Sequence, residues 1–191
     1  MPTYAPVRRL AFAAAVLCLM GTRARSGGLP TLQDEDRAKA LFVYNVATFT
    51  EWPDAVLTDR SPVTVAVLGR EAGRVIRATL EGRTVNGRPV VVRVHERARD
   101  VEPCHLVFVA SDAAREQVDL LERLARKPVL TISEVPAATP HQPIVSLVVV
   151  GVRLAFDVDM DAAEVAGVRP HARLLSLARE VRGARTRAAV R

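Results

Sequence analysis

The sequence predicts an α/β fold: a mostly parallel, open, Rossmann-like sheet flanked by helices, which ends in an antiparallel hairpin and a terminal helix. Two observations predict it. Short apolar runs alternate with amphipathic helical patterns, as in βαβ units with right-handed crossovers. Two of these runs, HLVFVA at 105–110 and PVLTIS at 128–133, are continuously apolar. Runs of this kind are typical of parallel strands covered by helices on both faces.

The first predicted element is a helix that begins after Thr31. Its acidic first turn, residues 34–36, suits the positive end of a helix dipole, and Pro53 ends it. A recurrence at three- and four-residue spacing predicts one buried face, made of Ala38, Leu41, Phe42, Asn45, Phe49 and Trp52.

The middle of the chain predicts four strands and two helices. The strands cover residues 63–68, 89–94, 105–110 and 128–133, and Asn86-Gly87 makes the turn before the second of them. One helix covers residues 72–81. The other begins at Ser111-Asp112, a good N-cap, and ends near Ala125.

The last third of the chain changes pattern. A proline-rich loop at 135–143 precedes two strands, 144–150 and 152–158, on either side of Gly151, and these predict an antiparallel hairpin at a sheet edge. Asp161 opens a short helix that Gly167 ends. A last helix follows Pro170, with Leu174, Leu175 and Leu177 as its buried stripe.

The N-terminus has the pattern of a secretory signal, residues 1–26. Arg8 and Arg9 precede an apolar run at 10–20, and small residues follow it. The run is short for a membrane-spanning helix of about 20 residues, so a cleaved signal is favoured over an anchor. A lipoprotein attached at Cys18, or an uncleaved signal, is the alternative. One domain at 31–182 and a disordered, arginine-rich tail at 183–191 complete the predicted organisation.

The sequence pI near 10.3 suggests nucleic-acid binding, but the charge distribution excludes it. The first 25 residues hold four Arg and the last ten hold four more, with no acid in either segment. The body between them has 19 basic and 21 acidic residues. A body without a cationic block has no means to neutralise several phosphates at once.

Cysteine usage predicts that no disulfide forms within the mature chain. Cys18 lies in the signal, which leaves Cys104 alone. The thiol of Cys104 is therefore either buried or available to another chain.

Several strings, in this order along the chain, carry a resemblance to a known family. They are KALFVYNVATFTEWP (39–53), VTVAVLG (63–69), LEGRTVNGRPVVVR (80–93), CHLVFVA (104–110), PVLTISE (128–134) and RLAFDVDMDAAEVAGVRPHARLLSLAR (153–179). With them the chain resembles the YfiR family of periplasmic proteins. The helix that ends in EWP and the AGV…ARLLSLA segment are the most specific of these strings.

The resemblance implies a periplasmic regulator, because the best understood relative binds the periplasmic sensor domain of a membrane-bound diguanylate cyclase and represses it. Cyclic-di-GMP synthesis and biofilm formation fall as a result. Two departures limit what this chain takes from the family. The relative's intramolecular disulfides have no counterpart in the single Cys104, and residues 138–143 replace a glycine-rich turn that the family tends to have before the hairpin.

Patterns that suggest catalysis or metal binding are better explained by structure. Adjacent side chains of a strand point to opposite faces, so Cys104 and His105 cannot act as a nucleophile and its base. The spacing Asp157-x-Asp159-x-Asp161 resembles a calcium loop but lacks its Gly and its Glu, which are Ala162 and Val168 here. We therefore predict no catalytic residue, no metal site and no cofactor.

Two sets of residues are candidate binding sites. Gly69, Ser111 and Ser133 follow or end three predicted strands, and ligands of open parallel sheets sit at the carboxyl ends of the strands. Arg169, His171 and Arg173 cluster at the start of the last helix, where cations are electrostatically unfavourable, so an anion or an acidic partner is their candidate ligand.

The predicted function is that of a non-enzymatic periplasmic regulator. Its partner is the periplasmic domain of an inner-membrane diguanylate cyclase, kinase or receptor, and it is expected to form a homodimer. The alternative is a periplasmic protein that binds a small molecule in the crevice beside Gly69, Ser111 and Ser133.

Overall fold

An eight-stranded mixed sheet organises the fold. The computed structural model describes residues 32–58, 61–136, 140–150 and 153–183. The helices are α1 (Leu32–Thr48), α2 (Arg70–Leu80), α3 (Gln117–Leu124), α4 (Met160–Ala166) and α5 (Ala172–Leu175). The strands are β1 (Thr50–Glu51), β2 (Val63–Leu68), β3 (Thr84–Val85), β4 (Arg88–His95), β5 (Leu106–Val109), β6 (Leu130–Ser133), β7 (Val145–Val150), β8 (Arg153–Asp159), β9 (Arg169–Pro170) and β10 (Glu180–Arg182).

The strand order across the large sheet is β10-β8-β7-β6-β5-β2-β4-β3. The central pairs β4-β2, β2-β5, β5-β6 and β6-β7 are parallel, whereas β3-β4 and β7-β8 are antiparallel and β8-β10 is again parallel. The predicted α/β class is confirmed. The sheet is mixed, because hairpins lie towards both of its edges, and β1 and β9 form a separate antiparallel pair.

The core lies on both faces of the central strands. Every residue of β2, β5 and β6 is buried. One apolar cluster packs α1, α2, α4 and α5 against one face through residues such as Val43, Ile76 and Leu174, and the other places α3 over Val107 and Val109. Burial on both faces is the reason these strands read as continuous apolar runs.

The buried face of α1 differs from the predicted one. Ala40, Val43, Val46 and Ala47 are fully buried, whereas the predicted Ala38, Leu41 and Asn45 are exposed; Phe42 and Phe49 are half-buried. The prediction placed the large aromatic residues in the buried face. In the structure, α1 packs closely on α2 and the sheet, and small and β-branched side chains fit this contact. The predicted burial of Trp52, which follows the helix, is confirmed.

Two predicted helix starts are wrong. Ser111 and Asp112 do not cap α3: residues Ser111–Glu116 form a 3₁₀ helix, and α3 begins only at Gln117. Asp159, not Asp161, caps α4, because its carboxylate accepts the backbone N–H of Ala162 at 2.8 Å. The predicted end at Gly167 is confirmed, and its φ of 71° is the left-handed conformation that glycine adopts freely.

The hairpin is confirmed, and a helix with a buried Leu174 does follow Pro170, but it is shorter than predicted. β7 and β8 pair antiparallel from Val145↔Val158 to Val150↔Arg153. The last helix, α5, is a single turn that ends at Leu175, and Leu177 is 66% exposed rather than buried. The chain then extends into β10, a strand the sequence did not predict. The predicted signal at 1–26 and nearly all of the predicted tail at 183–191 lie outside the described residues.

Candidate functional site

The three predicted ligand residues lie at strand ends but do not form one site. Gly69 follows β2 with a φ of 128°, and a Cβ added there would come within 2.4 Å of Asp112 Oδ1, so the space beside it is already filled. Ser133 is fully buried, and its hydroxyl contacts Gln117 Oε1 and the C=O of Val135. Only Ser111 is exposed, and it borders a cavity.

This cavity, which we call the hairpin cavity, has a volume of about 620 Å³. It lies where β5 and β6 end, with the β7-β8 hairpin as one wall and α1 as another. Its lining residues are Glu35, Lys39, Ser111, Glu134, Val135, Pro136, Gln142, Ser146, Leu147, Val148, Val149, Leu154, Asp157, Arg179 and Arg182. Apolar side chains of the hairpin thus face two groups of charged residues.

The first charged group joins α1 to the end of β6. Lys39 Nζ lies 2.8 Å from Glu134 Oε1 and 2.8 Å from Glu35 Oε1. Glu134 Oε2 accepts the backbone N–H of Ser111 at 2.9 Å. Burial alone would lower the pKa of Lys39, but its hydrogen bonds to Glu134 and Glu35 outweigh that effect and raise it. Lys39 therefore stays charged and holds these elements together.

The second charged group anchors β10. Asp157 is only 3% exposed and accepts from both Arg179 Nε, at 2.8 Å, and Arg179 Nη2, at 2.5 Å. Arg182 Nη2 donates to the same carboxylate at 3.0 Å. The hydrogen bond from Arg179 is the main reason that the pKa of Asp157 is lowered, although burial opposes it. A carboxylate held by two guanidinium groups is a strong, directional contact.

Sequence reasoning missed Lys39, Glu134, Asp157, Arg179 and Arg182 as parts of a site. A signal was present, since all but Arg182 belong to the strings that carry the family resemblance. The pairing itself was not visible: Lys39 and Glu134 are far apart in the sequence, and only the strand order brings them together.

The predicted partner-binding residues lie elsewhere, around β9 and α5. Arg169 is exposed on β9, opposite Glu51 of β1. His171 Nδ1 accepts the backbone N–H of Arg173 at 3.3 Å and so caps α5. The Arg173 guanidinium lies over the Phe49 ring, 5.2 Å from its centroid. All three residues are exposed, and His171 and Arg173 are in direct contact.

Cys104 and His105, which directly precede β5, lie on opposite sides of the chain, as the sequence predicts. Cys104 belongs to the cluster under α3, and burial raises the pKa of its thiol to about 11. His105 faces the other side, where its Nδ1 accepts the Thr64 N–H at 2.9 Å and its ring meets the Trp52 ring edge-on. A protonated thiol that points away from the imidazole is not an activated nucleophile.

The three aspartates of the predicted calcium-like spacing do not converge. Asp157 binds the two arginines, Asp159 caps α4, and Asp161 is exposed. Among the described residues, no group of three or more His, Cys, Asp or Glu side chains is placed to hold a metal ion. In the same residues, none of the helices combines the length and the apolar character that crossing a membrane requires.

A second cavity, of about 330 Å³, lies between α3 and α4. Its lining includes the apolar residues Leu121, Leu124, Ile144 and Val165 and the acidic residue Asp161. It contains none of the residues that the sequence singles out as candidate ligand or partner contacts.

Comparison with known proteins gives one family. A family model described as YfiR/HmsC-like matches residues 36–179, well over half of the chain. Among solved structures, the crystal structure of a conserved domain protein from Vibrio cholerae O1 biovar El Tor strain N16961 is similar at a TM-score of 0.45 and 12% sequence identity. The alignment covers 68% of the present chain and 57% of that chain, which is less than two thirds of its length.

Proposed function

The chain belongs to the YfiR/HmsC-like family, and we propose that it is a non-enzymatic periplasmic regulator that binds the outward part of an inner-membrane protein. The family match over residues 36–179 is the observation that carries this proposal. The regulated protein is a diguanylate cyclase, which the chain represses, so that its activity limits cyclic-di-GMP synthesis. Export by a cleaved signal at 1–26 and assembly as a homodimer are part of the same proposal.

The state of the polar groups supports binding over catalysis. Asp157 is neutralised by two arginines, Glu134 by Lys39, and the Cys104 thiol is held protonated by burial. General acid–base and nucleophilic mechanisms need such groups near a reacting atom with their reactive forms available. Here they stabilise the fold.

The docking residues of this proposal are Arg169, His171 and Arg173. The Arg173 guanidinium packs on the Phe49 ring, and among the described residues no hydrogen bond or ion pair occupies it, so it can bind a carboxylate. Stacked arginines are frequent anchors at protein interfaces. The partner surface is accordingly acidic.

Capture from the envelope tests the proposal. The tagged mature chain is incubated with detergent-solubilised envelope, and bound proteins are quantified by mass spectrometry. We expect a membrane cyclase that Arg173→Glu captures at least tenfold less well, while the matched control Arg77→Glu on α2 captures it normally. Recovery of no membrane protein by the wild-type chain would contradict the proposal.

The hairpin cavity favours a second candidate function, the binding of a small molecule beside Ser111. Its volume of about 620 Å³ lies within the range typical of ligand pockets, and apolar walls with a few polar groups are their usual composition. Native mass spectrometry of the freshly purified chain tests this. A bound small molecule that is released on denaturation supports the candidate, and an unliganded mass under conditions that preserve known complexes contradicts it.

A further inference from the structure

The outer half of the β7-β8 hairpin extends past the rest of the sheet. β6 pairs only with Val145 and Ser146 of β7, and β10 pairs only with residues 157–159 of β8. Residues 147–150 and 153–156, which we call the projecting hairpin, therefore pair only with each other in the described part of the chain. At 3.3 to 3.4 Å per residue they extend about 13 Å beyond the last pairs with β6 and β10.

The backbone of β8 presents an open edge on this projection. In an antiparallel ladder, every second residue directs both its N–H and its C=O away from the partner strand. The C=O of Phe156 accepts the N–H of Arg179 at 2.8 Å, so it points away from β7. Leu154, two residues earlier, points the same way, and among the described residues no strand pairs with it on this outward side.

The projecting hairpin lacks the usual protection of an edge. Soluble proteins keep exposed edges from pairing by placing charges, prolines or bulges on them. On the outer part of β8, residues 153–156, Arg153 is the one charge and there is no proline, and on the partner strand Val149 and Val150 are 61% and 52% exposed. An edge with so little protection is suited to accept another strand.

The surroundings of the edge select the charge of that strand. Arg153 is exposed at the start of β8, and Arg179 and Arg182 retain 48% and 44% exposure while they hold the buried Asp157. Glu180 is the acidic residue that β10 adds here. Three cations thus flank the edge. Two of them, Arg179 and Arg182, bind Asp157, which is only 3% exposed, and Arg182 Nε also lies 3.5 Å from Glu180 Oε2.

We propose that the open edge of β8 at residues 153–155 is a docking site for an extended, acidic segment of the regulated protein, which adds to the sheet as a further strand. The pairing of β10 with residues 157–159 shows that this edge accepts a strand, and the added strand lies beyond β10 on the same edge. This inference rests on the proposed regulatory function and names the binding mode. It does not depend on the contact made by Arg173.

A pair of synthetic peptides tests the edge directly. One is an eight-residue peptide of alternating valine and glutamate, and its counterpart has lysine in place of glutamate. We expect the glutamate peptide to shift the amide resonances of Leu154 and Phe156 of the full mature chain. We expect the lysine peptide to bind the wild-type chain at least tenfold more weakly than the glutamate peptide does. The glutamate peptide should bind the Arg153→Glu variant at least tenfold more weakly than the wild type, and should bind the control variant Arg77→Glu as well as the wild type. Amide shifts that are equal for the two peptides, or absent with both of them, would overturn the proposal.

Leu154→Pro provides a second, backbone-specific variant. The N–H of Leu154 makes no ladder bond, so proline removes the outward donor without removing a bond to β7. Loss of peptide binding with an unchanged circular dichroism spectrum supports strand addition. If the variant does not fold, the comparison of Arg153→Glu with Arg77→Glu decides. A wild-type dimer that becomes monomeric in Leu154→Pro during sedimentation would assign the edge to a second copy and overturn the proposal.

The same variant in the envelope capture separates this inference from the proposed function. If the wild-type chain captures the membrane protein and Leu154→Pro does not, the result supports docking at the β8 edge. If Leu154→Pro captures it as well as the wild type, docking at the β8 edge is overturned and the proposed regulatory function is not affected. Capture of no membrane protein by the wild type overturns the regulator, and with it the edge.

Discussion

At the scale of a single residue, the surroundings of His105 hold its side chain neutral. Its Nδ1 accepts the N–H of Thr64 at 2.9 Å, which places the ring proton on Nε2, 3.3 Å from the C=O of Val56. Burial is the main cause that lowers the pKa of His105, and the nearby Arg88 lowers it further, although the contact with Val56 opposes them. Trp52 Nε1 donates to the His105 C=O at 2.8 Å, so the EWP segment is fixed at the same place.

The state of His105 predicts an acid-sensitive part of the stability. Since its pKa is lower in the folded chain, the unfolded chain binds more protons between the two pKa values. The contribution of neutral His105 to the free energy of unfolding should therefore be complete above the unfolded pKa of about 6.5. It should decrease as the pH falls from there towards the folded pKa. Urea unfolding from pH 8 to pH 5 measures this.

His105→Asn is the matched control for that measurement, because the amide oxygen can accept the Thr64 N–H but does not titrate. The variant should show a smaller loss of stability than the wild type between pH 7 and pH 5. An identical pH dependence in both proteins would contradict this account of His105.

At the scale of elements, β10 illustrates how little local sequence decides the position of a short strand. Its three residues are one acid, one valine and one base, two of them exposed, and no periodicity marks them. The strand is defined by non-local contacts instead, since Arg179 and Arg182 both reach Asp157 of β8. For the same reason, the leucines at 174, 175 and 177 predicted a helix that in the structure is only one turn.

We expect Asp157→Asn to release β10 from the sheet. The neutral amide loses the charge-assisted bonds to both arginines, and the expected cost is about 1–3 kcal/mol of unfolding free energy. Hydrogen exchange should show the amides of Val181 and Arg182 losing protection while those of β2 and β5 keep theirs. Glu180→Gln on the exposed side should change stability by less than about 0.5 kcal/mol. Unchanged protection of β10 in Asp157→Asn would contradict the anchoring role.

For the whole molecule, the elements that depend on local signals were predictable and their arrangement was not. The strands 63–68 and 105–110, the hairpin and the end of α4 at Gly167 carry signals in their own residues, and the structure places elements there. The buried face of α1, the start of α3 and the strand β10 depend on packing between distant segments. The hairpin cavity belongs to this second group, because its lining comes from α1, the segments that follow β5 and β6, the hairpin, and β10 with the residue before it.

The two proposed docking surfaces, around Arg173 and along the projecting hairpin, would give one chain two ways to contact a partner. Both are exposed, and both are rich in arginine, in a protein whose body carries slightly more acidic than basic residues. Concentrating cations at docking surfaces within a nearly neutral body favours binding to an acidic protein partner over binding to nucleic acid.

Cyclic-di-GMP is the quantity that tests the central claim most directly. Its cellular level should be measured by mass spectrometry in the native host, in a deletion strain, and in that strain complemented with the wild-type chain or with Arg173→Glu. A repressor predicts a severalfold rise on deletion, reversal by the wild type, and incomplete reversal by Arg173→Glu at equal protein abundance. A level that does not change on deletion, under conditions in which the chain is produced, would contradict regulation of cyclic-di-GMP synthesis by this protein.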